Sequence, residues 1–256
     1  MSQFTSIDLS QDELAFVLTL HNLTAISGFT VPADFDAAAA SAAGDSLIER
    51  GLAVQQDGEQ RIHPDVAALV TSGALYMAAL GLSVQHGGGA PQRSWFYRTP
   101  EGIVFHTRPR VGVERFEALT DDEAFATRIS ALIPVSGGEA PGFGAVIIPK
   151  SVLARAETER LQRGPDAGLE VLRAHSLPDS LARNVLDEAQ QVILVVIRVI
   201  DSGASGIHAE TRTYMLIAAD GSYWLLQEDD ADPARLTAQP ISGAAALVFI
   251  TSLVQN

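Results

Sequence analysis

The residues of this chain that could do chemistry are six histidines, two Asp-Asp pairs and a few glycine-containing turns. His21, His63, His86, His106, His175 and His208 are scattered along the sequence. None has the H-E-x-x-H or H-x-x-x-H spacing that sets two imidazoles on one helical face, so no histidine metal site is expected. Cysteine is absent, which removes thiolate metal sites, thiol nucleophiles and disulfides. Asp121-Asp122 and Asp229-Asp230 are neighbours along the chain, whereas acid–base catalysis needs carboxyls that converge on a substrate. The first pair suits a helix N-terminus and the second a polar loop tip. Gly142-Phe143-Gly144 precedes an apolar stretch; a dinucleotide-binding turn instead follows a strand and opens the helix that holds the pyrophosphate. Pro149-Lys150-Ser151 lacks the upstream glycines of a phosphate loop, and there is no G-x-S-x-G elbow. The expectation is a protein that is not an enzyme, with no cofactor and no metal.

Composition narrows the partners. The chain has 256 residues and a net charge of −14. That balance repels phosphate backbones and anionic lipid, so neither nucleic acid nor membrane is expected as a partner. No apolar run approaches the ~20 residues of a membrane helix. The N-terminus has no basic segment followed by an apolar one, and with no cysteine the expected location is the cytoplasm.

The elements that must position any functional residue can be read from caps, turns and periodicity. Ser10 with Glu13 three residues on opens a helix. Ala37–Arg50 reads as a second helix, stopped by Gly51. Asp57-Gly58 is a hairpin dipeptide. Helix, helix, hairpin gives an N-terminal winged-helix-like segment, yet it holds Arg50 and Arg61 against ten acidic residues in positions 1–74, which excludes a DNA-reading role. From Pro64 onward the chain repeats itself: 64–134 and 178–255 each read as a helix, four strands and a closing helix. The offset grows from 114 residues between Pro64 and Pro178 to 121 between Leu132 and Leu253, a drift that loops absorb. Pro178–Ala189 reads as a helix. Val192–Ile200 is apolar but for Arg198 and β-branched but for Leu194 and Arg198, which predicts a strand buried on both faces. Trp95, Tyr97 and Phe105 on one hairpin, and Tyr214 and Trp224 on the next, read as core before they read as a binding face.

The expected fold class is therefore α+β, with two pseudo-two-fold-related antiparallel sheet-and-helix halves and an N-terminal winged-helix-like segment. The expected domains are residues 1–135 and 145–256, joined by a glycine-rich linker at 136–144.

Three stretches carry a family resemblance. They are L-S-x-x-E-L within Leu9–Gly28, R-G-L-x-V … D-G … I-H-P-D over Arg50–Asp65, and the hairpin, strand and alanine-rich helix of Tyr214–Val254. In this order they make the chain similar to the EspG family, the cytosolic chaperones of type VII secretion systems. The resemblance implies a non-enzymatic chaperone or adaptor that binds a helical secreted protein or heterodimer of PE–PPE type and keeps it soluble for export. It implies a partner-binding loop between the first two long strands of the first half, here Gln85, His86, Gly87, Gly88, Gly89 and Gln92. It also implies a helical bundle over Ser151–Ala189 with the final helix. Two alternatives remain at this point: an enzyme whose site is assembled only in space, for which His86, His106 or His208 would have to meet carboxylates in a pocket, and a self-associating structural protein.

Overall fold

The computed structural model describes residues 4–85, 89–133, 138–140, 142–201, 207–219 and 222–255, without the side chains of Asp201 and Ala219. Strand β1 (Ser6–Ser10) runs directly into helix α1 (Gln11–Leu20). Ser10 Oγ accepts from Glu13 N at 3.1 Å and Glu13 Oε2 accepts from Ser10 N at 2.8 Å, the reciprocal capping box that the sequence signals. The strand ahead of it is new to the sequence-based reading. Its signal is short: Ile7 and Leu9 are buried between polar neighbours.

A small hairpin of β2 (Ala25–Ile26) and β3 (Phe29–Thr30) leads to α2 (Ala37–Glu49), capped by Asp36 Oδ1 on Ala38 N and Ala39 N. Gly51, at φ +69°, ends this helix as expected. β4 (Ala53–Gln56) and β5 (Glu59–Ile62) turn on Asp57 and Gly58, at φ +54° and +82°, the left-handed pair a two-residue hairpin needs. α3 (Pro64–Thr71) starts on a proline, and His63 caps it by accepting from Asp65 N.

Then follow β6 (Ala78–Val84), β7 (Gln92–Thr99), β8 (Gly102–Arg110), β9 (Val113–Leu119) and α4 (Asp122–Leu132). The rest of the chain is β10 (Val146–Pro149), α5 (Lys150–Arg163), α6 (Pro165–Ala174), α7 (Asp179–Asn184), β11 (Gln191–Asp201), β12 (Ile207–Ala219), β13 (Ser222–Asp229), β14 (Asp232–Ile241) and α8 (Gly243–Ser252). The helix, four strands, helix order read from the sequence recurs in α3–β6–β7–β8–β9–α4 and α7–β11–β12–β13–β14–α8. The second turn of the repeat, Asp220-Gly221, lies outside the described residues.

Two expectations are corrected. The helix over Pro178–Ala189 stops at Asn184, and a single 3-10 turn at Glu188–Gln190 takes over. Local side chains claim the backbone there: Asp187 Oδ1 accepts from Ala189 N, and Gln191 Nε2 donates to Val185 O. β11 is not buried on both faces. Val192, Leu194 and Val196 are buried, while Ile193, Val195 and Ile197 between them are only half covered. Its β-branched composition reflects a pleated strand with one closed face.

The chain forms two compact units, residues 1–81 with 93–125 and 197–210, and residues 82–92 with 126–196 and 211–256. The first unit carries the strand order β1–β9–β8–β7–β6. On one sheet face Ile7, Leu9, Tyr97 and Phe116 belong to a core with Leu14, Val17 and Leu18 of α1, Leu47 of α2 and Val66 of α3. The other face holds Phe96, paired in register with Phe105 and edge-on to Phe125. Phe105 therefore sits on the other sheet face from Trp95 and Tyr97. Trp95 is wedged at Gly81, where a Cβ would come within 2.8 Å of its ring. In the second unit, ordered β11–β12–β13–β14–β10, Trp224 and Ile217 belong to a core with Val152, Ala156, Leu172 and Leu181 of α5–α7.

One carboxylate joins the first three main elements. Glu13 is 4% exposed; besides capping α1 it accepts from Ser46 Oγ at 2.8 Å and Arg50 Nη1 at 2.6 Å, both from the second helix region. Arg50 Nη2 also donates to Asp8 O of β1, and Asp8 makes a bidentate pair with Arg115 of β9. Burial pushes the Glu13 carboxyl up, but the Arg50, Ser10 and Ser46 bonds outweigh it and hold it below the usual glutamate range.

Because this folded-state pKa lies below the unfolded one, the stabilisation is present above the unfolded value of about 4.3 and fades as pH falls through the depressed folded value. Glu13→Ala is expected to cost about 3 kcal/mol in urea unfolding at pH 7, since it leaves Ser46 and the α1 cap unpartnered. Glu13→Gln should flatten the acid limb of the stability profile. Gly81→Val is expected to cost about 2 kcal/mol through overlap with Trp95, read in the same assay.

Candidate partner-binding surface

The implied binding loop joins β6 to β7. Gln85 is half-buried at the end of β6, Gly89, Ala90 and Pro91 are exposed, and Gln92 is the exposed first residue of β7. His86, Gly87 and Gly88 lie outside the described residues. The side chains here that could contact a partner are amides and an imidazole, with Pro91 and Ala90 as the apolar part.

Helix α8 offers a different surface. Ser242 caps it through Oγ on Ala245 N, and Gly243, Ala246 and Ile250, spaced three and four apart, are its buried stripe. The opposite side exposes Ala244, Ala245 and Val248, the last 68% exposed. Half-exposed Phe249 packs edge-on against Tyr214 at 5.2 Å. The helix GAAALVFITS contains no charged residue, and its hydroxyls turn inward: Thr251 Oγ1 donates to Leu247 O and Ser252 Oγ to Phe249 O. Its counterpart in the first copy is ordinary. α4 buries Phe125 and Ile129 and exposes Asp122, Glu123, Thr127 and Ser130. Asp121 caps α4 at Ala124 N, 2.7 Å away, and that amide and Thr120 hold its carboxyl below the usual range. The acidic pair at 121–122 thus has the helix-terminal role expected of it.

Helices α5–α7 are laced with exposed ion pairs instead. Arg160 pairs with Glu157, Arg163 with Glu159, and Asp179 with both Arg173 and Arg183. These are solvated contacts of little energetic weight. Of the implied bundle, α8 is the member whose outer side is apolar.

Among the histidines, His106 meets a carboxylate at hydrogen-bond distance. Its Nε2 is 3.0 Å from Glu114 Oε2 and its Nδ1 2.8 Å from Tyr97 Oη. Tyr97 donates to Ser27 O at 2.5 Å, and Arg108 Nε donates to Glu114 Oε1 at 2.7 Å. His106 stacks on Phe116 with centroids 4.3 Å apart. Both His106 and Glu114 are 2% exposed, and every polar atom of the pair is used. A substrate cannot reach them, so the cluster ties β7, β8, β9 and the β2–β3 turn together and gives the spatially assembled enzyme site no support. His21 and His175 are exposed at helix ends, and His208 is exposed on β12. No group of metal-ligating side chains occurs among the described residues. Sequence reasoning missed this cluster because its members pair across three strands; the visible signal was His106, Arg108 and Glu114 around one hairpin turn.

The architecture is an α+β fold built on a large antiparallel sheet, with a capped N-terminal helical segment and a recurring helix–four strands–helix order. The Mycobacterium tuberculosis type VII secretion system chaperone EspG5, solved in complex with a PE25–PPE41 dimer, superposes with a TM-score of 0.67 over 97% of this chain and 95% of its own, at 15% sequence identity. This shared fold bears out the EspG resemblance read from the sequence at the level of architecture. The sequence matches no protein-family model and no curated protein sequence.

Burial raises the Glu114 pKa, but the His106 and Arg108 bonds more than compensate, leaving it low. Its contribution is therefore present above the ordinary glutamate range and lost as pH falls through the depressed value. Glu114→Gln is expected to lower unfolding free energy by about 3 kcal/mol at pH 7, measured by urea titration, because it leaves His106 and Arg108 short of their acceptor.

Proposed function

We propose that this protein is a non-enzymatic chaperone or adaptor that holds a helical secretion substrate of PE–PPE type in the cytoplasm and keeps it soluble for export. The observation that carries this reading is the uncharged, exposed side of α8 on a fold shared along nearly its whole length with a secretion chaperone. An apolar helix side left open to water in a chain of net charge −14 fits the apolar tip of a helical partner. The β6–β7 loop, Gln85 to Gln92, supplies adaptable polar contacts at that partner's edge, while Val248 and its neighbours supply the apolar burial.

Co-expression with PE–PPE-like helical proteins encoded beside this chain is expected to yield a complex that survives size exclusion. Val248→Asp should weaken it at least about tenfold without lowering thermal stability, since it places a charge in the desolvated centre of the contact. No stable complex with any such protein, or one indifferent to both Val248→Asp and replacement of Gly87–Gly89 by alanines, would overturn the reading.

A further inference from the structure

A groove of about 610 Å³ opens in the first unit between α3, the turn joining β7 to β8, and the end of β9. That volume lies in the range of ligand sites. Leu69, Ile103 and Leu119 form an apolar floor, none more than 8% exposed, and Leu75 at the rim is 68% exposed. The hydroxyls in the wall are already committed. Thr71 donates to Ala67 O, Ser72 to Leu69 O and Thr99 to Gly102 O. The charged side chains of the lining are both acidic, Asp65 on α3 and Glu101 on the exposed turn, and no lysine or arginine lines it. His63 Nδ1 stands 3.9 Å from Asp65, so Glu101 is the carboxylate most open to a ligand.

An apolar floor under an acidic rim rejects fatty-acid carboxylates and phosphates and favours an apolar body that carries a cation. We propose that this groove binds a short aliphatic peptide segment of a partner protein with one arginine or lysine. Its aliphatic side chains cover Leu69, Ile103 and Leu119 and shield Leu75, and its cation meets Glu101. The hydroxyl pattern agrees, because walls without free donors offer little to an anionic or acceptor-rich ligand. Neither the β6–β7 loop nor α8 lines the groove, so its occupation is separate from the substrate contact proposed above.

The test is a titration of the ¹⁵N-labelled full chain with acetyl-LIRL-amide, with acetyl-LIEL-amide and octylamine in parallel arms. The expected result is saturable shifts of the Leu75, Thr99 and Glu101 amides by the arginine peptide, with the glutamate peptide at least about fivefold weaker. Glu101→Gln should weaken the arginine peptide by roughly threefold to fivefold. Ala68→Phe, at an exposed α3 position in the lining, should abolish the shifts while the melting temperature holds. Equal affinity for the two peptides, absence of saturation, or shifts that persist in Ala68→Phe would overturn the proposal. Binding of octylamine without either peptide would overturn it in favour of a small amine. Failure of the helical substrate to bind α8 leaves these outcomes unchanged, so the two readings fail separately.

Discussion

Glu13 has to be charged, buried and fully hydrogen-bonded at once, and the first unit is arranged around meeting that demand. One oxygen takes the Ser46 hydroxyl; the other takes the Ser10 amide and the Arg50 guanidinium. Those three donors come from the end of β1 and from the C-terminal end of α2. A carboxylate without them would carry the desolvation cost of a buried charge. The same Arg50 reaches the Asp8 carbonyl, and Asp8 holds Arg115 on β9, so an acid–base chain runs from helix to sheet beside the apolar core. The core packs these elements together, and the carboxylate adds directional bonds that hydrophobic contact alone lacks.

Elements whose cause is local were legible in the sequence. Ser10 with Glu13, Asp57 with Gly58, Gly51 and Pro64 each dictate their own backbone within a few residues, and each stands where it was read. The repeated order was legible for the same reason, since it is a list of such local signals. What escaped depends on distant partners. β1 is a strand because β9 is beside it, with Ile7 opposite Phe116 and Asp8 opposite Arg115. Five residues carry too little periodicity to announce that pairing. β11 shows the converse failure: composition gave its type, but how deeply each face is covered is decided by what packs on it. Likewise, the loop at 85–92 takes its binding role from the family resemblance alone, whereas the α8 surface emerges only when one knows which of its apolar residues face inward.

The two helix–four strands–helix stretches differ most on the outer sides of their closing helices. α4 and α8 occupy equivalent positions in the element order, and each buries a stripe at helical spacing. Their outer sides are free to differ without disturbing what lies beneath. One carries Asp122, Glu123, Thr127 and Ser130; the other carries alanines and Val248. The closed His106–Glu114 cluster shows how this fold otherwise treats reactive groups. Imidazole, phenol, carboxylate and guanidinium are locked to one another between strands, where they brace the sheet.

The bare side of α8 also changes how copies of this protein meet one another. An apolar helix face invites self-contact, and in this chain the opposing force is long-range repulsion between acidic molecules. That repulsion reaches about 10 Å at 0.1 M salt and about 3 Å at 1 M, while the attraction between apolar faces does not weaken with added salt. The exposed α8 side and the acidic charge therefore act in opposite directions between copies, and added salt shifts that balance toward contact.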